Sequence, residues 1–277
     1  MSAFRSLWST LRKLAALFRR DLGVARSYRV AFVLELFQAL FGVAGFYFLA
    51  RFIESPQLER ALPQPGGYFS FALVGIAFFD YLSVSLTTFD DGLQQARQNG
   101  TLENLLVTQT PLSVILIGSS LYPFVLMSLR TAVYLGWGAA LFGFPLGQAN
   151  WLGAILVLAA SILAFVGLGI LSASYLLLFK RGNPVNWAFV GLSSVLGGML
   201  YPVSVLPKWL QSLARLVPVT YALQAMRAAL LGHATLRELW PPLAALLIFA
   251  VVLLPVSFAI FWWALRRTKI TGTLTHF

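Results

Sequence analysis

The sequence DDGLQQARQNGTLENLLVTQTP, residues Asp90–Pro111, is the longest polar run in a chain that is otherwise almost entirely apolar. Long apolar runs flank it on both sides, so it determines how the rest of the chain is divided. Gly100 splits the run into two parts. We expect the first part, Phe89–Asn99, to continue the preceding helix into water, because most of its residues after the phenylalanine are polar.

The second part predicts a short amphipathic helix held just outside a bilayer. Leu102, Leu105 and Leu106 lie at positions i, i+3 and i+4, which form one face of a helix. Thr101 can cap this helix, and Glu103 lies in its first turn, where a negative charge suits the helix dipole. Such an apolar face needs a partner. The alternative is a solvated loop whose leucines pack on the protein's own spans.

The composition identifies an integral membrane protein. The 277 residues are 59% hydrophobic and 10% charged, with a mean hydropathy of +0.80, whereas soluble domains average about 25% charged residues. Cysteine is absent, and His233 and His276 are the only histidines, so neither a disulfide framework nor a multi-histidine metal or haem site is expected. The net charge of +11 is placed at the ends of apolar runs, which favours a lipid bilayer and not nucleic acid as the partner.

The first 29 residues predict a basic amphipathic helix that lies in the headgroup plane on the cytoplasmic side. Apolar residues recur at helical spacing, with most of the basic residues off that stripe. The segment has no continuous apolar core and no small-residue cleavage site, so it does not resemble a signal peptide. An ordinary core-facing helix is the alternative.

Residues 30–277 predict a single transmembrane domain, so the fold class is an all-α polytopic membrane protein. A helix needs about 20 apolar residues to cross the bilayer. We predict six spans: Val30–Ala50, Tyr68–Phe89, a span within Leu112–Phe142, Trp151–Phe179, Val185–Leu200, which is shorter than this length, and Trp240–Leu265.

The segment Tyr201–Leu239 predicts two short amphipathic helices, with Pro218 between them. Neither piece is long enough to span a membrane. We therefore expect a re-entrant or interfacial helix pair before the last span, tolerated where protein or water satisfies the interrupted backbone.

The distribution of lysine and arginine orients the six spans. With both termini in the cytoplasm, 13 basic residues fall on the inner side and six in the outer loops. This assignment places Asp90–Pro111 in the cytoplasm and the helix pair on the outer face.

Three ionisable residues, Glu35, Asp80 and Arg130, fall within apolar runs. Charge inside a membrane is costly and usually points inward or at a partner. Glu35 is near the start of its span and can snorkel. Asp80 and Arg130 are deeper and opposite in sign, so we predict that they interact directly or through water. Their role is either to hold spans together or to form a polar point on a substrate path.

No catalytic motif supports an enzyme. The chain contains no Gly-Lys pair, so it lacks the G-x-x-x-x-G-K-[ST] loop that would bind ATP. It also lacks G-x-S-x-G and H-E-x-x-H.

Two motifs carry a family resemblance. G-T-L-E-N-L-L-V-T-x-T-P lies at Gly100–Pro111, between spans two and three. Y-P-V-S-V-L-P-K-W-L-x(7)-P-V-T-Y-A-L-x-A-M-R lies at Tyr201–Arg227, before span six. Together with the N-terminal amphipathic helix and the six spans, they resemble the ABC type-2 exporter permease family over essentially the whole chain.

The resemblance implies roles by position. Gly100–Pro111 would be the coupling helix that docks on an ATPase subunit, with contact residues Gly100, Thr101, Leu102, Glu103, Leu105 and Leu106. Tyr201–Gly232 would be the outer gate, with residues Tyr201, Pro202, Pro207, Trp209, Pro218, Tyr221 and Arg227. Two permeases, identical or homologous, would pair with two nucleotide-binding subunits in the inner (plasma) membrane. This chain would hold no cofactor, since ATP and Mg²⁺ would bind the partner, and a drug-like, lipid or glycan-linked molecule would be exported.

Two other classes of function stay open from the residues alone. An ion-coupled secondary transporter would use Glu35, Asp80 and Arg130, although the two halves show no convincing internal repeat. A membrane enzyme acting on lipid would need a convergent set of histidine, serine or acidic residues, which the sequence does not suggest.

Overall fold

The structure is a computed structural model that describes residues 2–27, 29–53, 65–98, 112–147, 149–179 and 183–270. The predicted coupling segment Gly100–Pro111 therefore lies outside the described residues. Within the described part the chain is helical, with no β-strand. The nine α-helices there are α1 Ser2–Ser27, α2 Arg29–Ile53, α3 Gly67–Gln98, α4 Leu112–Phe142, α5 Trp151–Phe179, α6 Pro184–Leu196, α7 Lys208–Ala214, α8 Pro218–Leu230 and α9 Leu236–Ile270.

Four of these helices are long and apolar enough to cross a bilayer, over Gly67–Gly92, Ser120–Phe142, Trp151–Phe179 and Leu236–Thr268. They correspond to the second, third, fourth and sixth predicted spans, and the chain is a multi-pass membrane protein. The apolar part of α2 that the structure describes, Phe37–Ile53, and the 13-residue helix α6 are shorter. The six-span count therefore stays a prediction, with α2 and α6 as its two remaining members.

Helix α5 lies at the centre of the bundle and packs against α3, α8 and α9. Its buried face is rich in glycine, alanine and serine, which lets neighbouring backbones approach closely. Gly169 faces the carbonyl of Ser85 and the ring of Phe89 on α3, and Gly167 faces Leu253 on α9. Of the four long helices, α3 is the most enclosed and α9 the least.

Helices α3 and α4 run antiparallel, which defines two ends of the bundle. Tyr81 donates a hydrogen bond to Ser128 at 2.7 Å, and Thr131 donates one to the carbonyl of Ala77 at 3.5 Å. We call the end that contains the start of α3 the Arg227 end, after the buried arginine described below. The opposite end, which contains the last turns of α3, is the Asp90 end.

Helix α1 packs against the first half of α4. The Phe18 and Tyr122 rings lie 6.4 Å apart, and Leu17 lies against Gly118. Because α3 and α4 are antiparallel, this contact places α1 at the Asp90 end. The predicted N-terminal helix is observed as α1 over Ser2–Ser27, and its location in the headgroup plane stays a prediction.

Candidate functional site

Helix α3 connects the two ends of the molecule as one unbroken element. It runs for 32 residues, from Gly67 to Gln98. At 1.5 Å per residue this is about 48 Å, which exceeds the roughly 30 Å hydrocarbon core. The expected continuation of this helix beyond the apolar span is therefore confirmed, and it leads directly towards the predicted coupling segment.

The expectation that Phe89–Asn99 enters water is wrong at its start. Phe89 is fully buried and Asp90 is only 4% exposed, because α5 covers both residues. The Oδ2 atom of Asp90 accepts hydrogen bonds from Ser172 Oγ, at 3.0 Å, and from Asn183 Nδ2. Its Oδ1 atom is buried without a partner among the described residues.

Asn183 connects three elements at the Asp90 end. Its Oδ1 atom caps α6 by accepting a hydrogen bond from the backbone N–H of Asn186 at 3.0 Å. Its Nδ2 atom donates to Asp90 on α3 and, at 2.6 Å, to Ser172 on α5. The sequence analysis did not single out Asn183. The signal that was available is Asn followed by Pro before an apolar run, which is typical of a helix start.

The Arg227 end carries the predicted helix pair, which is confirmed as α7 and α8. After α6, Gly198 adopts a φ of 73°, a conformation that a side chain would strain. A single 3₁₀ turn, Val203–Val205, precedes α7. With seven and 13 residues, α7 and α8 are about 10 and 20 Å long, so neither crosses a bilayer alone.

Arg227 ties this region together. It is only 6% exposed, and its guanidinium donates from Nε to the carbonyl of Phe71 at 3.2 Å. It also donates from Nη1 to Gly198 and from Nη2 to Met199, both at 2.7 Å and both to carbonyl oxygens. The guanidinium carbon lies 3.4 Å from the centre of the Phe71 ring. Burial lowers the pKa of Arg227 to about 9, which leaves it protonated at neutral pH.

The other predicted gate residues lie at the ends of α7 and α8 and in the turns beside them. Tyr201 donates to the carbonyl of Val195 at 2.7 Å, and Tyr221 donates to that of Arg215 at 3.1 Å. Pro207 precedes α7 and Pro218 begins α8, where a missing backbone N–H costs nothing. Trp209 is exposed. A cleft of about 430 Å³ opens beside these helices, and three of the seven residues line it: Pro202, Tyr221 and Arg227.

Arg130 interacts electrostatically with the two other charged residues of the apolar runs, Glu35 and Asp80. Both Glu35 and Asp80 are close enough to act on it electrostatically, one from α2 and the other from α3. Among the described residues, however, no ion pair within 4.0 Å joins Asp80 to Arg130. Arg130 instead donates from Nε and Nη2 to the hydroxyl of Tyr134, one helical turn away, at 3.2 and 3.1 Å. The direct form of the predicted contact is therefore not seen, and a water-mediated one stays a prediction.

Comparison with known proteins identifies the family of the chain. The linearmycin resistance permease protein LnrN of Bacillus subtilis (strain 168) is 26% identical over 178 residues, which is 64% of this chain. The match spans 46% of LnrN, so the chain aligns with about half the length of that relative. The family model for the ABC-2 type transporter matches residues 7–231. The chain belongs to the ABC-2 type transporter family.

Proposed function

We propose that this chain is a permease that forms the substrate path of an exporter and receives mechanical work at Gly100–Pro111 from a separate ATPase subunit. Membership of the family makes it a transmembrane subunit of an ABC transporter. The coupling route is our inference, and it rests chiefly on the contacts of α3.

Helix α3 is bonded at both ends to the elements that would have to move together. Near its start, the carbonyl of Phe71 accepts from Arg227 on α8. Near its end, Asp90 accepts from Ser172 and Asn183. Asp90 lies 19 residues after Phe71, a rise of about 28 Å along the helix, which is close to the thickness of the bilayer core. A displacement of the segment after Gln98 would thus be carried along a rigid helix to the short helices at the other end.

The short helices α7 and α8 are suited to gate the exit of the path. They form a cap that would not cross the membrane, in which α8 packs against α3, α5 and α9 and is hydrogen-bonded to α3 through Arg227. Because α8 contacts all three long helices, motion of α3 relative to α5 and α9 would act on this cap. In this arrangement the cap lies on the outer face, and both termini and the coupling segment lie in the cytoplasm.

The partners and the substrate class follow from the same proposal. ATP and Mg²⁺ would bind the partner ATPase, and a second permease, identical or homologous, would complete the path. The Bacillus relative is named as a linearmycin resistance permease. This name supports export of a drug-like molecule, with lipid and glycan-linked molecules as the alternatives.

The decisive experiment places a charge on the predicted docking face. Leu105→Asp should leave the permease folded and inserted but prevent co-purification of the ATPase and abolish ATP-driven export from vesicles. Burying one leucine contributes about 1.5–3 kcal/mol, which is a large share of the stability of a small docking contact. Glu103→Lys should have a milder effect, because it only opposes the helix dipole and changes one charge.

Asn104→Asp is the matched control, since it adds the same charge on the opposite side of the predicted helix from the three leucines. We expect this variant to bind the ATPase and export normally. Normal binding and export by Leu105→Asp would contradict the assignment and move the contact to Lys180–Pro184 or to the N-terminal helix. Transport that proceeds without any ATPase would instead support the ion-coupled alternative.

A further inference from the structure

The cleft at the Arg227 end has a charged interior that the gating role does not use. It lies between the turn after α6, the 3₁₀ turn, α7 and α8, with a volume of about 430 Å³. Arg215 and Arg227 both line it, together with the amide side chains of Gln211 and Gln224. Two basic residues thus line one space that is large enough for a ligand head group.

No carboxylate of this region balances these cations. The continuous described segment 183–235 contains Lys208, Arg215 and Arg227 but no aspartate or glutamate. Arg227 is held by three backbone carbonyls. Arg215, at the end of α7, is exposed and has neither a hydrogen bond nor an ion pair from its side chain among the described residues. Its guanidinium is therefore free to bind an anion, with Arg227 as a fixed positive charge behind it.

Helix α7 separates this polar cleft from an apolar surface. Gln211, Ala214 and Arg215 lie on the side that lines the cleft. Trp209 and Leu213, at i and i+4 of α7, and Leu216, just after its end, are all exposed and do not line the cleft. An exposed aromatic and aliphatic stripe beside a basic site is typical of a helix at a lipid–water boundary.

We propose that this cleft binds the acidic head group of an amphipathic molecule, a phosphate or a carboxylate whose apolar body lies along α7. Guanidinium groups recognise both oxyanions through charge-assisted hydrogen bonds. The exposed stripe provides a surface for the apolar body. Two sources share this chemistry, an anionic phospholipid of the surrounding bilayer and the exported molecule itself. As a step in export, the site rests on the proposed function, whereas binding can be tested on the permease alone.

The test uses the full chain without an ATPase, in phosphatidylcholine nanodiscs that contain a trace of photoreactive phosphatidic acid. Crosslinking should map to residues 201–227 and exceed that of photoreactive phosphatidylcholine with the same acyl chains. Arg215→Gln should reduce the phosphatidic acid crosslink about fivefold, because one charge-assisted contact is lost. Arg215→Lys should retain part of the signal, since it keeps the charge but loses the planar fork.

Lys208→Gln is the matched control, because it removes one exposed positive charge from the same helix without touching the cleft. It should crosslink within about twofold of the wild type, since a solvent-exposed charge outside the site is screened. An equal loss in both variants, or no loss in Arg215→Gln, would show that there is no specific site and would overturn the proposal. Stable monodisperse elution of each variant confirms that the fold is intact.

Competition separates the two sources. If hexyl phosphate in the buffer lowers the crosslinking of the lipid and hexanol does not, the cleft accepts an anionic amphiphile from water. This result would support the exported molecule as the occupant. If neither compound competes and the Arg215 dependence persists, the occupant is a bilayer phospholipid. Because no ATPase is present, failure of this experiment leaves the Leu105 test untouched, and failure of the Leu105 test does not affect lipid binding.

Discussion

At the scale of single residues, Arg227 shows how a buried cation is stabilised without a carboxylate. Two of its three acceptors, Gly198 and Met199, lie in the turn just beyond the C-cap of α6. The guanidinium therefore satisfies backbone carbonyls of this turn and of α3 at the same time. A neutral side chain of similar size would leave these carbonyls buried and unpaired.

Gly75 makes this contact possible, and it provides a test. A Cβ atom there would overlap the carbonyl oxygen of Met199 and the Nη2 atom of Arg227. Gly75→Ala should lower the free energy of unfolding by about 1–3 kcal/mol through overpacking, in spite of the better helix propensity of alanine. Thermal unfolding in detergent measures the effect.

The control for this variant is Gly136→Ala, also in a long helix, where nothing lies within 4 Å of an added Cβ atom. Alanine there should leave stability unchanged or raise it by up to about 1 kcal/mol. Equal thermal stability of the two variants would mean that the Arg227 contact contributes little to the fold.

At the scale of helices and turns, the sequence predicted most of the boundaries where apolar length decides them. Leu112–Phe142 and Trp151–Phe179 are single helices over the full expected ranges. Helix α9 begins at Leu236, four residues before the predicted start of the last span. The backbone N–H and the hydroxyl of Thr235 both donate to Glu238 Oε2, which is one half of a capping box and favours a helix start at this point.

The polar network at the Asp90 end was not predictable from spacing along the chain. Asp90 lies in a polar run, and only the packing of α5 and the start of α6 against α3 buries it. Ser172 and Asn183 are 82 and 93 residues away in sequence. Hydrogen bonds at such separation are consequences of the tertiary fold. Similarly, apolar periodicity indicated α7 and α8, but the cleft beside them depends on three-dimensional packing.

Asn183 both caps α6 and donates to Asp90, and a charged substitution can separate these two roles. Asn183→Asp keeps a good N-cap for α6 but places a second carboxylate against Asp90 and removes the Nδ2 donor. We expect a loss of about 1–3 kcal/mol of stability, because a buried acceptor is left facing another acceptor. The free energy of unfolding can be compared by urea titration of the purified variants.

A second substitution should reverse this loss. In the double variant Asn183→Asp with Asp90→Asn, the new amide on α3 can donate to the new carboxylate, so most of the stability should return. The interaction energy of this double-mutant cycle isolates the contact between α3 and the α6 cap. Additive effects of the two substitutions would show that the two side chains do not act on each other.

At the scale of the whole molecule, the two ends of the bundle differ in their chemistry. The Asp90 end contains α1, the polar network and the base of the predicted coupling segment. The Arg227 end contains the short helices and the basic cleft. The sequence already indicated this difference between the two ends. Its long apolar runs are separated by two different polar segments, the predicted coupling segment and the pair of short helices. Glu35, Asp80 and Arg130 lie between the two ends of the bundle. They belong to three different helices, so only the tertiary fold brings them near one another.

The orientation of this bundle in the membrane is the last prediction. The excess of lysine and arginine near the termini favours the Asp90 end on the cytoplasmic side. The chain contains no cysteine, so single cysteines can report position directly. Ser204→Cys and Gln224→Cys, both exposed at the Arg227 end, should react with a membrane-impermeant maleimide in intact spheroplasts. Arg19→Cys, exposed on α1, should react only after permeabilisation. The reverse pattern would invert the molecule, and labelling of Ser204→Cys and Gln224→Cys from opposite sides would show that the segment joining them crosses the bilayer.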